Sequence, residues 1–229
     1  LVSFPTAFFL FAGYTEALFL LAAAASLFAA RRKKWIPAGL WGAVAALTRA
    51  PGLLIAIPLA YAAWFAWRNG DRKGIWAIAI TLGGAALFPA YVWFGLHLPP
   101  TAILSAVGRG GSLTFPGANI VEAVRHILDH QFIAENSIEL ISLLILLPVT
   151  FFIWRGLPRI YGVYALTYLL LFLMRMGAPQ PLVSMERYIL EIFPMFMVFA
   201  RWGNHPWVNR LFLYTFWVGL LFFSGQFAI

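Results

Sequence analysis

AALTRAPGLLIAI, residues 45–57, sits in the middle of an otherwise apolar stretch running from Trp35 to Trp67. Its reading decides the fold. As one kinked, tilted helix, 35–67 would be about 50 Å long, and its ends would lie on opposite sides of a bilayer. If the chain turns back at Pro51-Gly52, both ends lie on one side. Proline and glycine favour the turn, because one lacks a backbone donor and the other is a poor helix former. Trp35–Thr48 measures about 21 Å as helix and Leu53–Trp67 about 22 Å. Neither arm crosses a hydrocarbon core of about 30 Å. We therefore expect 35–67 to be a re-entrant pair of short helices. Its turn lies at membrane depth and must be covered by protein or water.

The flanking sequence supports this reading. The chain has 229 residues, of which 62% are hydrophobic and 10% charged, and its mean hydropathy is +0.85. Runs of that kind indicate membrane-spanning helices, and the alternation of an outer-membrane barrel is missing. The expected architecture is an all-α, polytopic transmembrane bundle forming a single module. Its spans fall at about 4–30, 75–96, 138–154, 160–176, 188–202 and 211–229, around the re-entrant pair 35–67. With RRKK (31–34) on the cytoplasmic side and the hairpin in place, eleven basic residues fall inside: Arg31, Arg32, Lys33, Lys34, Arg68, Arg72, Lys73, Arg155, Arg159, Arg201 and Arg210. Only Arg109, Arg125, Arg175 and Arg187 fall outside. This is the asymmetry of a plasma-membrane, multi-pass protein, and the single tilted helix would lose it. The net charge of +8 thus reports topology, and no nucleic-acid motif accompanies it. There are no cysteines, which excludes disulfides and thiolate metal sites. LVSFPTAFF at the start has neither a basic n-region nor a cleavage site, so it is not a signal peptide. We expect the natural protein to begin upstream of it.

Charges inside apolar spans mark function or structural ties. Glu16, in AGYTEALFLL (12–21), lies about 22 Å along the first helix from RRKK, and Arg49 lies about 22 Å along the next arm. Each alone costs at least about 2.5–3.5 kcal/mol near the bilayer centre, so the two are expected to pair or to share a polar cavity. The pair either locks the first helix to the hairpin or leaves Arg49 to hold an anionic lipid head group. Arg49 is also placed to cap the last carbonyls of the first arm. A double swap of the two residues should then restore what either single change loses.

In MERYILEIFP (185–194), Arg187 and Glu191 have the i, i+4 spacing of a local helical pair. Alternatively, Arg187 faces a phosphate at the outer surface. Tyr188 reads equally as an interface anchor. The polar stretch 97–137 contains NIVEAVRHILDHQFI, an amphipathic helix expected on the membrane surface. Asn119, Glu122, Arg125, His126, Asp129 and His130 form its polar face. His126 and His130 have metal-ligand spacing, but HILDH lacks the glutamate of HExxH. No cofactor is expected, and a divalent metal is left open. GRGGS (108–112) reads as a Gly-rich mobile lid or connector in which Arg109 is placed to close on a bound phosphate. The many aromatic residues are expected at lipid contacts and interface belts.

FPTAFFLFAGYTEALFLL, RRKKW and AGLWGAVAALTRAPGLL together resemble the PIG-V-type mannosyltransferases and their bacterial relatives. ERYILEIFPMFMVFARWG resembles the late Arg-Tyr…Phe-Pro span of the same family. These patches cover the first quarter and the last fifth of the chain. The resemblance implies a GT-C glycosyltransferase fold and a polyprenyl-phosphate sugar donor. It also implies a lipid-linked or glycan acceptor, and attack with inversion at the anomeric carbon. Within that chemistry Arg187 and Arg49, with Arg109 behind them, are the candidate cations for the leaving phosphate, and Tyr14, Glu16 and Tyr188 are candidates to position the sugar or lipid phosphate; the family pattern does not fix these roles residue by residue. The family's essential aspartate, in a Trp-Asp context upstream of the element seen here as Phe4-Pro5, has no counterpart in this chain. The chain is thus expected to be the C-terminal part of a longer enzyme. Competing readings are a transporter or lipid flippase, whose broken helices would look alike, and a non-catalytic membrane subunit.

Overall fold

The computed structural model of the chain describes residues 1, 3–11, 14–99, 112–177, 179–182 and 184–227, the backbone alone for 186, 226 and 227. It is almost entirely helical. A 3₁₀ turn, Ala7–Leu10, precedes α1, Glu16–Arg31. The first apolar run is therefore not one helix over 4–30. Glu16 opens α1, where a carboxylate suits the positive end of the helix dipole. α2, Trp35–Thr48, ends at Arg49, whose backbone is extended (φ −154°, ψ 147°). A 3₁₀ segment, Ala50–Ile55, then leads into α3, Ala56–Arg68. α4, Gly74–Ala90, continues through one π turn, Tyr91–Gly95.

These elements form a hairpin followed by a return. At the start of α2, Trp35 Nε1 donates to Asp71 Oδ2, just past α3, at 2.8 Å. Farther along, Thr81 Oγ1 of α4 reaches Gly39 O at 3.3 Å, and Gly84 lies against Ala43. The residue numbers of the two helices rise together, so α2 and α4 run parallel and α3 runs back between their ends. A single tilted helix over 35–67 would hold Trp35 and Asp71 far apart. Small residues allow the close approach. A Cβ on Gly39 would meet Ile80 Cβ at 2.8 Å, and one on Gly42 would overlap Thr81. Such contacts, with interhelical bonds such as Ser26 Oγ to Ala38 O at 2.7 Å, drive helix association where both faces are apolar. The second arm is longer than expected. Ala50–Arg68 is continuous over 19 residues and is long and apolar enough to cross a membrane. The length argument therefore applies only to α2.

The remainder comprises α5, Ala118–Leu128; α6, Ile133–Gly156; α7, Arg159–Met174; α8, Met185–Tyr188; α9, Pro194–Trp202; and α10, Pro206–Phe227. Among the described residues, four helical stretches are long and apolar enough to span a membrane: Ala50–Arg68, Gly74–Gly95, Ile133–Gly156 and Pro206–Gly225.

Two further expectations are corrected. The stretch 188–202 is not one span. α8 gives way to a 3₁₀ turn, Ile189–Glu191, and Ile192 leaves helical geometry (φ −86°, ψ 65°). Pro194 then opens α9 at the position where its missing N–H costs least. Asn119 does not belong to a solvated face. It is fully buried, and Nδ2 donates to Phe172 O at 2.6 Å and Arg175 O at 2.8 Å. α5 is thereby tied to the end of α7. A two-residue antiparallel bridge, β1 (Ser112–Leu113) with β2 (Arg175–Met176), fastens the same junction.

The core runs along α1, α2, α6 and α7, with Phe19, Leu27, Leu143, Ile153, Tyr164, Tyr168 and Phe172 among its buried side chains. The helices place all eleven basic residues named above at one end, which we term the basic end. Arg31 bonds Tyr161 there (3.1 Å), and Arg201 bonds Gly156 O.

Candidate functional site

At the opposite, far end, three helix breaks converge: the start of α1, the α2–α3 turn and the α8–α9 junction. Glu16 is 1% exposed and receives two arginines on one oxygen. Arg49 Nη1 donates to Glu16 Oε1 at 2.8 Å, and Arg187 Nε donates to the same atom. The expected Glu16–Arg49 pair is present, and Arg187 joins it. Arg187 does not pair with Glu191 at i+4, because α8 ends at Tyr188 and the local helical geometry is lost. Glu191 instead lies 2.9 Å from Arg49 Nη1. That is an ion-pair distance without hydrogen-bond alignment. Neither Glu191 carboxylate oxygen, nor Glu16 Oε2, takes a hydrogen bond from the described residues.

Arg49 does not cap α2. Its guanidinium turns inward to the carboxylates, and Thr48 Oγ1 bonds Ala45 O instead, at 2.7 Å. Arg49 is also packed over the Tyr188 ring (5.3 Å), which carries Arg175 as well (4.5 Å). Arg187 lies over Tyr14 (4.1 Å) and Phe9 (5.6 Å). Arg49 and Arg187 thus meet two buried carboxylates, and Arg175 stands against the Tyr188 ring. Rings and guanidinium groups attract through the ring quadrupole, by about 0.5–2 kcal/mol each. The cluster is not sealed: Tyr14 is 40% exposed and the Arg187 side chain 21%.

Of the six expected residues, Tyr14, Glu16, Arg49, Arg187 and Tyr188 come together here. Arg109 lies outside the described residues.

Several neighbours were not anticipated as site residues. Tyr164 and Tyr168, one turn apart on α7, are buried instead of facing lipid. Tyr164 Oη donates to Glu191 O at 2.6 Å and Tyr168 Oη to Pro51 O at 3.0 Å. Each donates to a carbonyl at a helix break, and Glu191 O also accepts from Phe193 N at 3.0 Å. Glu139, buried in α6, accepts from Ser184 N at 2.7 Å and from Met185 N. It thereby fixes the start of α8 and the direction of Arg187. The sequence signal for these residues is a polar tip at helical spacing inside an apolar run, where a buried hydroxyl or carboxylate requires a partner.

His126 and His130 are not joined by further ligands in the described structure. Among the described residues no group of three potential ligands occurs, and His126 Nε2 lies 3.8 Å from Glu122.

Chemically, the cluster offers cations with a partly open face, buried carboxylate oxygens free to accept hydroxyl hydrogens, and tyrosine rings at the rim. That set suits a ligand bearing both an anionic group and hydroxyls. No family model, no curated protein and no solved structure matches the chain.

Proposed function

We propose that the protein is an integral-membrane glycosyltransferase of mannosyltransferase type. It would transfer a hexose from a polyprenyl-phosphate donor to a lipid-linked or glycan acceptor. The acceptor hydroxyl attacks the anomeric carbon, the bond from that carbon to the phosphate oxygen breaks, and the hydroxyl proton passes to a carboxylate. Arg187, at the open edge, and Arg49 behind it stabilise charge growing on the departing phosphate. Glu16 and Glu191 orient those arginines and accept bonds from sugar hydroxyls. No carboxylate of the cluster is assigned the reacting proton, since both are engaged by arginine. Tyr14 and Tyr188 line the rim against the sugar or the lipid phosphate.

The observation that carries this reading is the cluster of Arg49 and Arg187 around the buried Glu16 and Glu191, partly open at Arg187, with carboxylate oxygens that take no hydrogen bond from the described residues. The sequence resemblance supplies the reaction class. The test is transfer of radiolabelled mannose from a polyprenyl-phosphate donor in membranes expressing the intact gene, with Arg187→Ala and Arg187→Lys alongside. Transfer should fall by about a hundredfold in Arg187→Ala and by less in Arg187→Lys. No transfer by well-folded wild-type protein, or an unchanged rate in Arg187→Ala, would refute the reading. The breaks at Arg49 and Ile192 also fit a lipid-phosphate translocator. Flipping of a labelled polyprenyl phosphate without sugar transfer would identify that activity.

A further inference from the structure

The basic end carries a second arrangement of arginines, remote from the cluster and unlike it. α6 ends at Gly156, and three guanidinium groups surround its last turn. Arg155 lies over the Phe151 ring, 5.3 Å from its centre. Arg159 lies over Trp154 at 5.1 Å and donates to Trp154 O at 3.2 Å. Arg201, arriving from α9, donates to Gly156 O. All three are exposed. Among the described residues none has a carboxylate at ion-pair distance. The only acidic residue in the segments that form this end is Asp71, which is taken by Trp35.

Topology explains why this end is basic. It does not explain why three cations crowd one helix terminus without a counter-ion. The terminal carbonyls of α6 account for part of the attraction, yet two bonded carbonyls carry far less charge than three guanidinium groups. The three exposed cations are open to an anionic group from outside the chain.

The surroundings identify its source. Directly along α6 from the arginines lie Phe151, Phe152 and Trp154, with exposures of 54%, 43% and 37%. They sit on a helix long and apolar enough to span a membrane. Phe152 meets Trp202 edge to face at 5.0 Å, which continues the apolar wall onto α9. A soluble anion would use the cations and leave this wall bare. A molecule with a phosphodiester at one end and hydrocarbon at the other uses both.

We propose that the last turn of α6, with Arg155, Arg159 and Arg201, is a binding site for an acidic phospholipid. The phosphodiester sits among the three guanidinium groups, and an acyl chain runs along Phe151, Phe152 and Trp154. Ring stacking and carbonyl bonds hold the guanidinium groups in place before the lipid arrives, so little side-chain freedom is lost on binding.

The test is native mass spectrometry of the full chain in detergent, titrated with dioleoylphosphatidylglycerol or dioleoylphosphatidylcholine. Wild-type protein should retain phosphatidylglycerol preferentially. Each arginine contributes about fivefold, so R155Q/R159Q/R201Q should weaken retention on the order of a hundredfold. R32Q/K33Q/K34Q removes the same charge from the α1–α2 loop, none of whose three side chains bonds to or stacks on the last turn of α6, and should change it less than about threefold, because exposed charges outside a site are screened. R155Q alone breaks no carbonyl bond and keeps the terminus intact. It should cost about fivefold, so the proposal stays testable if the triple variant misfolds. Equal loss in the two triple variants would reveal diffuse charge attraction instead of a site. Equal retention of both lipids, or displacement of the lipid by millimolar inorganic phosphate, would overturn the proposal.

Discussion

At the far end, Arg49 and Arg187 are drawn into the bundle by Glu16 and Glu191. At the basic end, Arg155, Arg159 and Arg201 stay outside it, resting on aromatic rings and backbone carbonyls. The same side chain serves two purposes. Inside, the guanidinium needs a carboxylate, because an unpaired buried charge is severely penalised. Outside, it keeps its hydration and its charge remains available to a partner. The far cluster therefore bears on both stability and chemistry, whereas the basic end bears chiefly on what the chain associates with.

The sharpest way to break that contrast is Glu16→Ala. It leaves Arg49 and Arg187 without their shared acceptor and should destabilise the fold by about 3–5 kcal/mol, read as a shift in chemical denaturation in detergent. Combining Glu16→Arg with Arg49→Glu should not restore stability, because position 16 also faces Arg187. A rescued swap would show that Arg187 is not a member of the cluster.

Next is Gly52→Val. A Cβ at Gly52 would overlap the Ala45 carbonyl, so the α2–α3 turn should open at a cost of about 1–3 kcal/mol, and Arg49 should shift with it. Protease accessibility near residue 50 would report the change. Tyr168→Phe removes the donor to Pro51 O and should cost about 1–2 kcal/mol by the same denaturation measurement.

The smallest effect belongs to the basic end. The Trp35 indole N–H, and then the Lys73 backbone N–H, hold the Asp71 carboxyl below its ordinary value of 3.8. A lowered folded-state value means that the contribution is fully present above the unfolded value. It is lost as pH falls through the folded one. Wild type and Asp71→Asn should therefore differ in melting temperature at pH 6 and converge in strong acid, below the ordinary carboxylate range. A constant difference at all pH values would mean that the carboxylate charge is not involved.

The hairpin was legible because Pro51-Gly52, the shortness of α2 and the loop charge all pointed one way. Glu16 with Arg49 was legible for a simple reason: two opposite charges at equal depth on consecutive elements have few other partners. The role of Glu191 was hidden, since i, i+4 spacing to Arg187 implies a helix that Pro194 and Ile192 interrupt. The length of the second arm was hidden as well, because a 3₁₀ segment lets helical geometry begin at Ala50 instead of Leu53. The tethering of α5 depends on Asn119 meeting carbonyls at 172 and 175, a long-range pairing that local polarity pattern cannot report. Tyr164 and Tyr168 look like any aromatic residues of a lipid-facing span until the carbonyls they satisfy are seen.

Those two tyrosines carry a consequence for how the molecule comes apart. One rung of α7 props the break after α2, and the rung below it props the break before α9, although the breaks are separated by more than half the chain. Slippage of α7 along its axis would strip both props together. The two kinks should therefore belong to a single cooperative opening unit, with amide protons near Gly52 and Phe193 exchanging in concert while the outer flank of α4 remains closed.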